Sequence, residues 1–308
     1  MILPEVVLDF RANDVSDVSG MDSLQNCLDK DHFKNYTFPI EYRFNSRGFR
    51  DDEWPLTTDE LKNCYWCFGD SFTSGVGSPK THTWPYLLQQ QSGVRCINVS
   101  MDGASNDWIA RTAEYVISVL SPAAVFIQWS YLQRGESADS SLPDNKRRVL
   151  DKHMSLEKQV NNFTTNFNNV NAAASDKDVI ILHSIIPQQP ISTSDAEAQS
   201  LWDLVKGHSW PTEFPKTKSE LLDLPEPILL ELKNSYLYTY NSLCNVYFMK
   251  EHPPGFNLVE SLSSGSNFIR FKQIDVARDG HHYDIKTAVN VAEKFLLLLR
   301  QTSSDTGF

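Results

Sequence analysis

Hydrophobic residues along the chain form short continuous runs that alternate with stretches of helical spacing. Short apolar runs bounded by polar or turn residues are typical of strands buried on both faces. They predict strands at Tyr65–Phe68, Val94–Val99, Ala124–Trp129 and Val179–Ile186. Apolar positions three or four residues apart predict helices that include Ile109 to Leu120, Leu156 to Val170 and Ile285 to Leu299. Strand–helix alternation favours an α/β fold in three layers, α/β/α, around a parallel sheet, with the site at the carboxyl ends of the strands.

Two regions depart from this alternation. Residues 1–60 carry mixed signals, and we expect them to wrap the sheet within a single domain of 308 residues. Residues 187–265 are rich in Pro, Ser and Trp, with a helix predicted at Glu226–Tyr236. We interpret this stretch as an insertion or lid, because inserted loops at the carboxyl edge of such sheets often shape the substrate pocket.

Composition and charge narrow the class of protein. The chain is 41% hydrophobic and 22% charged, which is ordinary for a soluble domain. Its net charge of −11 argues against nucleic acid as a partner, because phosphate binding needs clustered Lys and Arg. No run approaches the roughly 20 apolar residues that span a bilayer, and Met1–Glu5 lacks the features of a signal peptide. We therefore expect a cytoplasmic protein without a membrane partner, or a virion-associated one if a virus encodes it.

Five cysteines give no disulfide framework. Cys64 and Cys67 have the spacing of a redox or zinc pair, but they belong to a strand-like run. Positions three apart in a strand point to opposite faces. We interpret both residues as small core side chains.

The first candidate for chemistry is Ser71, which follows the predicted strand in the sequence Phe-Gly-Asp-Ser and precedes small residues as far as Gly77. Serine is a weak nucleophile that needs a neighbouring base. Small residues permit a sharp turn and close approach of a substrate, and backbone N–H groups at such a turn can hold an oxyanion. On its own, this pattern is more typical of a glycine-rich turn. The Gly-x-Ser-x-Gly elbow is absent, which argues against an α/β-hydrolase.

The second candidate is the sequence Asp279-Gly-His-His282. One helical turn would place Asp279 and His282 side by side, so that the carboxylate could orient the imidazole and stabilise its charged form. His281 is the alternative base, but in a helical turn it would point about a quarter-turn away. Ser71, His282 and Asp279 are therefore predicted as nucleophile, base and orienting acid.

These motifs resemble those of the SGNH (GDSL) hydrolases. Phe68-Gly-Asp-Ser71 resembles their first block, Gly103 the glycine of their second block, and Asp279-Gly-His-His282 their final Asp-x-x-His. The resemblance spans positions 44 to 300, in the family order. It implies a flavodoxin-like fold and a serine esterase that acts on a small acyl ester, such as an acetyl group on a carbohydrate. It also implies that the Ser71 and Gly103 N–H groups hold the oxyanion, and that no metal or organic cofactor is needed.

One block departs from the family pattern. The family places Gly-x-Asn-Asp after the third strand, where the Asn donates to the oxyanion, but residues 127–136 contain no Asn. We predict that Ser130 or Arg134 supplies this donor, with Arg134 acting directly or through Glu136 or a water. The alternatives are that only two backbone donors remain, and that Arg134 merely pairs with an acidic loop residue. Asn106-Asp107 resembles half of the missing block, but it follows the second strand and is expected to cap a helix. The loss of one oxyanion donor typically costs about 10²–10³ in rate.

Two other functions stay open at the level of the sequence. The same serine chemistry could pass the acyl group to a sugar hydroxyl, which would make the chain an O-acyltransferase. The altered block could also mark a degenerate site on a carbohydrate-binding protein or a structural protein of a virus particle. The sequence carries no signal for oligomeric state.

Overall fold

A computed structural model describes residues 3–18, 22, 31–131, 134–136, 148–150, 156–186, 265 and 267–305. The predicted helix at Glu226–Tyr236 and nearly all of the predicted insertion lie outside the described residues, so the division into a domain, a wrapping segment and a lid stays a prediction.

Within these residues, four parallel strands form the central sheet, in the order β4-β3-β5-β8. They are β3 (Tyr65–Gly69), β4 (Cys96–Ser100), β5 (Ala124–Trp129) and β8 (Ile180–Ile185). Two antiparallel pairs lie apart from this sheet. They are β1 (Val15–Ser16) with β2 (Tyr42–Arg43), and β6 (Arg134–Glu136) with β7 (Arg148–Leu150).

Helices connect and cover the strands. In chain order they are α1 (Asp31–Asn35), α2 (Thr58–Lys62), α3 (Ser71–Ser74), α4 (Trp84–Ser92), α5 (Asn106–Leu120), α6 (Leu156–Ser175) and α7 (Ile285–Asp305). Short 3-10 turns occur at Asp9–Arg11 and Lys80–His82. In the part of the chain that the structure describes, no helix has the length and apolar character to cross a membrane.

The core has two apolar layers, one on each face of the sheet. Trp66 and Phe68 of β3 face a cluster that includes α5 and α6, whereas Cys67 faces a cluster that includes α4 and α7. Successive side chains of β3 point to opposite faces of the sheet, and both faces are buried. This is why the sequence of β3 is apolar at consecutive positions. The predicted three-layer α/β/α fold with a parallel sheet is confirmed.

The order of the strands places the candidate site. The chain runs from β3 to β4 on one side and then to β5 on the other side of β3. Such a reversal opens a crevice at the carboxyl end of the first strand, as in flavodoxin-like sheets. Ser71 follows β3 at this point, and Gly103 follows β4, with Gly69 paired to Ser100 in the register.

Strand boundaries differ slightly from the predicted ones. β4 begins at Cys96 rather than Val94 because Gly93 ends α4 in a left-handed conformation (φ 72°). The Val94 N–H then donates to the Ser92 hydroxyl instead of to a neighbouring strand. Cys64 and Cys67 are buried free thiols in opposite core layers, which confirms their interpretation as core residues.

The N-terminal segment packs against both the sheet and the turn after Ser71. Phe49 and Trp54 belong to the same core cluster as Trp66. Arg50, which is 1% exposed, donates to the backbone carbonyls of Ser74, Gly75 and Ser78. This buried arginine fixes the loop that leaves the end of α3.

His183 of β8 is a buried histidine away from Ser71. Its Nδ1 accepts from the Trp129 indole at 3.2 Å, and its Nε2 lies 3.2 Å from the Asn171 side-chain oxygen. The Asn171 oxygen can only accept, so Nε2 carries the hydrogen and the ring is neutral. Burial lowers the pKa of His183 to about 3.

This histidine predicts acid sensitivity. The unfolded chain takes up a proton at His183 near pH 6.5, whereas the folded chain does so only near pH 3. The free energy of unfolding should therefore fall as the pH drops below 6.5, by about 1.4 kcal/mol per pH unit from this group. Denaturant titrations at pH 6.5 and 4.5 should show that His183→Asn removes about 2–3 kcal/mol of this pH dependence. An identical pH dependence in both proteins would contradict the account.

Candidate active site

The nucleophile turn joins β3 to α3. Asp70 caps α3, and its carboxylate accepts from the Phe72 N–H at 3.0 Å, so that the chain turns sharply and Ser71 becomes the first residue of the helix. The turn after α3 passes Gly77 (φ 80°), where a β-carbon would lie 2.9 Å from the Ala277 side chain and 3.0 Å from Asp279 Oδ1. Glycine at this position allows the nucleophile loop to touch the segment that carries the histidine.

The histidine turn corrects one expectation. Asp279 and His282 are not on a helix, since α7 begins only at Ile285 and Gly280 has φ 70°. Asp279 Oδ1 accepts instead from the backbone N–H groups of His281 and His282, at 3.0 and 3.1 Å. The carboxylate closes the turn itself, which brings its other oxygen to the imidazole of His282.

The predicted nucleophile, base and acid lie in one hydrogen-bonded chain. His282 Nε2 lies 2.7 Å from Ser71 Oγ, and His282 Nδ1 lies 2.5 Å from Asp279 Oδ2. Because the carboxylate can only accept, Nδ1 carries the hydrogen and Nε2 is left to accept from the serine hydroxyl. All three residues are at most 2% exposed. The expected distances are therefore found.

The electrostatics of the pair suit a base that becomes charged. Burial lowers the pKa of His282, but the Asp279 carboxylate raises it by more, with Asp102 and Asp70 adding to the effect, so that it lies above the ordinary value. Burial would raise the pKa of Asp279, yet the charge and hydrogen bond of His282 hold it well below its usual range. A positive charge on the His282 imidazole is thus stabilised.

His281, the alternative base, is turned to a different group. Its Nε2 lies 3.3 Å from the Tyr131 hydroxyl. Its ring packs edge-on against Phe72, with the ring centres 5.4 Å apart. Phe72 also packs against His282 at 4.5 Å, which restrains the imidazole beside Ser71.

Ser130 and Arg134, the candidates for the third oxyanion donor, both form hydrogen bonds with Asp70 instead. Ser130 Oγ donates to Asp70 Oδ2 at 2.6 Å, and Arg134 Nη1 donates to the same oxygen at 2.8 Å and to Ser130 Oγ at 3.0 Å. The single hydroxyl hydrogen of Ser130 and both hydrogens of Arg134 Nη1 are used in these bonds. The expectation that Ser130 donates to an oxyanion is corrected, and Arg134 forms the ion pair that was one of the alternatives.

Asn106 does not cap α5 as expected. The cap is Ser105, whose hydroxyl accepts from the Trp108 N–H. Asn106 instead accepts from the Ser130 N–H at 2.9 Å and donates to the Tyr131 carbonyl at 3.0 Å. Its amide therefore joins the start of α5 to the end of β5 beneath the site.

Gly103 lies in the turn between β4 and α5, with φ 71°. The Met101 N–H donates to the Gly69 carbonyl at 3.3 Å, which ties this turn to the residue that precedes Asp70 and Ser71. Asp102 is near enough to act on the charge of His282. The turn thus reaches the same edge of the sheet as Ser71.

Comparison with known proteins gives structural neighbours of low identity. No protein-family model and no curated protein matches the sequence. The psychrotrophic esterase EstA from Pseudoalteromonas sp. is 12% identical, over 79% of this chain and 99% of that chain (TM-score 0.39). A putative lipolytic protein of the G-D-S-L family from Desulfitobacterium hafniense DCB-2 is 17% identical, over 47% of this chain and 71% of that chain (TM-score 0.29). A carbohydrate esterase family 2 enzyme plus carbohydrate-binding domain from Corynascus thermopiles (Myceliophthora fergusii) is 13% identical, over 87% of this chain and 71% of that chain (TM-score 0.37).

The flavodoxin-like strand order, the Gly-Asp-Ser turn after β3 and the Asp-x-x-His turn before α7 occur together in one structure. This chain therefore has a three-layer α/β/α fold with a flavodoxin-like strand order, in which the serine turn and the histidine turn meet at the carboxyl end of β3.

Proposed function

We propose that the chain is a serine esterase that hydrolyses small acyl esters through an acyl-enzyme, with an acetyl ester on a carbohydrate as the substrate. The observation that carries this proposal is the buried chain of hydrogen bonds from Ser71 through His282 to Asp279. A serine beside a neutral imidazole that is oriented by a carboxylate is the arrangement that acyl transfer requires.

The geometry supports a specific sequence of steps. Ser71 Oγ attacks the ester carbonyl while its proton passes to His282 Nε2, and Asp279 stabilises the imidazolium that results. His282 then gives this proton to the leaving alcohol oxygen as the ester C–O bond breaks. A water molecule, deprotonated by the same nitrogen, attacks the acyl-enzyme carbonyl, and His282 returns that proton to Ser71 Oγ as the acyl–oxygen bond breaks and the acid leaves.

The negative charge that develops on the ester carbonyl oxygen in the transition state must be stabilised by hydrogen-bond donors. In this proposal the backbone N–H groups of Ser71 and Gly103 supply them, as the resemblance to the SGNH hydrolases implies. Both groups belong to turns at the same edge of the sheet. With Ser130 bonded to Asp70, catalysis relies on these backbone groups for oxyanion stabilisation.

Burial of the site supports a small acyl group. Ser71 and His282 are each 2% exposed, and Phe72 packs directly on the imidazole. We expect kcat/KM for p-nitrophenyl acetate to exceed that for the decanoate ester by about tenfold or more, since each added methylene must find space near Ser71. Initial rates across a series of chain lengths measure this, and efficient cleavage of the decanoate would refute the proposed acyl size.

Hydrolysis and transfer share the acyl-enzyme and differ in the group that resolves it. Product analysis after incubation with p-nitrophenyl acetate and a soluble oligosaccharide separates them. Free acetate in proportion to p-nitrophenol supports the esterase, whereas acetylated oligosaccharide as the main product would assign the chain as an O-acyltransferase.

A further inference from the structure

Asp70 is a fully buried carboxylate directly before the nucleophile. Three groups donate to it: the Phe72 N–H and the side chains of Ser130 and Arg134. Its charge also acts on His282. An uncompensated charge at this position would be costly to bury and would disturb the base.

Arg134 is held in place against Asp70. Its side chain is 6% exposed, and its guanidinium lies over the Tyr131 ring, 4.8 Å from the ring centre. Its backbone N–H donates to the Tyr131 carbonyl at 3.0 Å. Asn106 accepts from the Ser130 N–H and donates to the same Tyr131 carbonyl, so the backbone group that Arg134 bonds to is itself held by a side chain of α5.

We propose that Arg134 is a positioning residue that acts through Asp70: it neutralises the carboxylate next to the base and locks the turn that carries Ser71. The inference rests on the proposed esterase function. It gives the altered third block a role, since the segment that lacks the oxyanion asparagine supplies instead a cation and a hydroxyl that hold the first block. Arg134 itself does not touch the substrate in this account.

Several charged or titratable groups surround the His282 imidazole, and the test must account for each. Asp279 bonds to Nδ1, while Asp102 and Asp70 act on the ring from the turns after β4 and β3. The His281 ring centre lies 5.0 Å from that of His282, and the Phe72 ring packs against His282, Tyr283 and Tyr131. Of these groups, Asp70 is the one that Arg134 pairs with.

Arg134→Gln should move the pH profile in a defined direction. With the Asp70 charge uncompensated, protonated His282 is favoured, so the acidic midpoint of kcat/KM should rise by about one pH unit. We also expect kcat per active serine, counted by fluorophosphonate labelling, to fall about tenfold, with KM within about twofold, because the misplaced turn affects the transition state more than binding. Arg134→Lys keeps the positive charge, so its acidic midpoint of kcat/KM should equal that of the wild type.

Asp70→Asn gives the opposite test. It removes the negative charge but leaves Arg134, so the midpoint should fall below that of the wild type, and the double variant Asp70→Asn/Arg134→Gln should return near it. The matched control is Arg111→Gln, which removes an arginine of α5 that pairs with Glu136 at the other end of β6 from Arg134, and it should leave the midpoint unchanged.

A purely structural Arg134 would lower the melting temperature and the fraction of labelled serine without moving the midpoint, and that result would overturn the inference. The pKa of His282 can also be followed by NMR titration of the histidine ring, with assignment by His282→Gln, which needs no substrate. Failure of the ester assay together with an NMR shift in Arg134→Gln would reject the proposed function and keep the charge compensation. An unshifted NMR pKa would reject the inference whatever the activity.

Discussion

Ser71→Ala should lower kcat for p-nitrophenyl acetate by at least about 10³-fold, with little change in KM. Removal of Oγ leaves His282 Nε2 with no hydroxyl to deprotonate, since that oxygen lies 2.7 Å away in the intact site. Ser71 is buried and alanine is a good helix former, so the fold should tolerate the change. Steady-state kinetics with a melting curve for each protein measure the effect.

Ser74→Ala is the matched control for this experiment. It removes a hydroxyl from another buried serine of the same short helix, three residues further on. Its kcat should stay within about threefold of the wild type, because no role in the chemistry depends on it. A similar loss in both variants would mean that disturbance of the turn, rather than loss of a nucleophile, explains the result.

Asp279→Asn should lower kcat by about 10³–10⁴-fold. The asparagine oxygen can still accept from the His281 and His282 N–H groups, so the turn should keep its shape. Its amide nitrogen, however, would face Nδ1 as a donor and place the imidazole hydrogen on Nε2, where it blocks acceptance of the serine proton. Activity within tenfold of the wild type would show that Asp279 does not set the tautomer.

The same variant has a signed effect on pH dependence. The Asp279 carboxylate raises the pKa of His282 against the lowering effect of burial. Without that charge, the pKa of His282 should fall, and the acidic midpoint of the residual activity should move to lower pH.

The fold was predictable because burial on both faces leaves a direct mark on the sequence. Strand β5 is apolar from Ala124 to Ile127 and is found at the predicted bounds, Ala124–Trp129. The Asp279–His282 pair was predicted from helical spacing, but the structure brings the two residues together in a turn that the Asp279 side chain closes. A helical turn and a turn closed by an Asp side chain both bring residues three apart together, so spacing alone does not distinguish them.

The contacts that hold the nucleophile turn in place could not be predicted from the local sequence pattern. The partners of Asp70 lie 60 and 64 residues away in the chain, and their contact depends on how β5 ends beside β3. Arg50 reaches the end of α3 and the loop after it across a shorter but still non-local separation of 24 to 28 residues. Sequence spacing carries no record of such contacts, although an arginine and an acid near the ends of adjacent strands were available as a signal.

The most direct test of the account is the location of a fluorophosphonate adduct on the folded protein by intact-mass and peptide mass spectrometry. We predict one adduct per chain on Ser71, no adduct in Ser71→Ala, and greatly slowed labelling in His282→Gln, because only the serine beside His282 is activated. An unlabelled Ser71 in a protein with an intact melting transition, or labelling that is equally fast without His282, would contradict it.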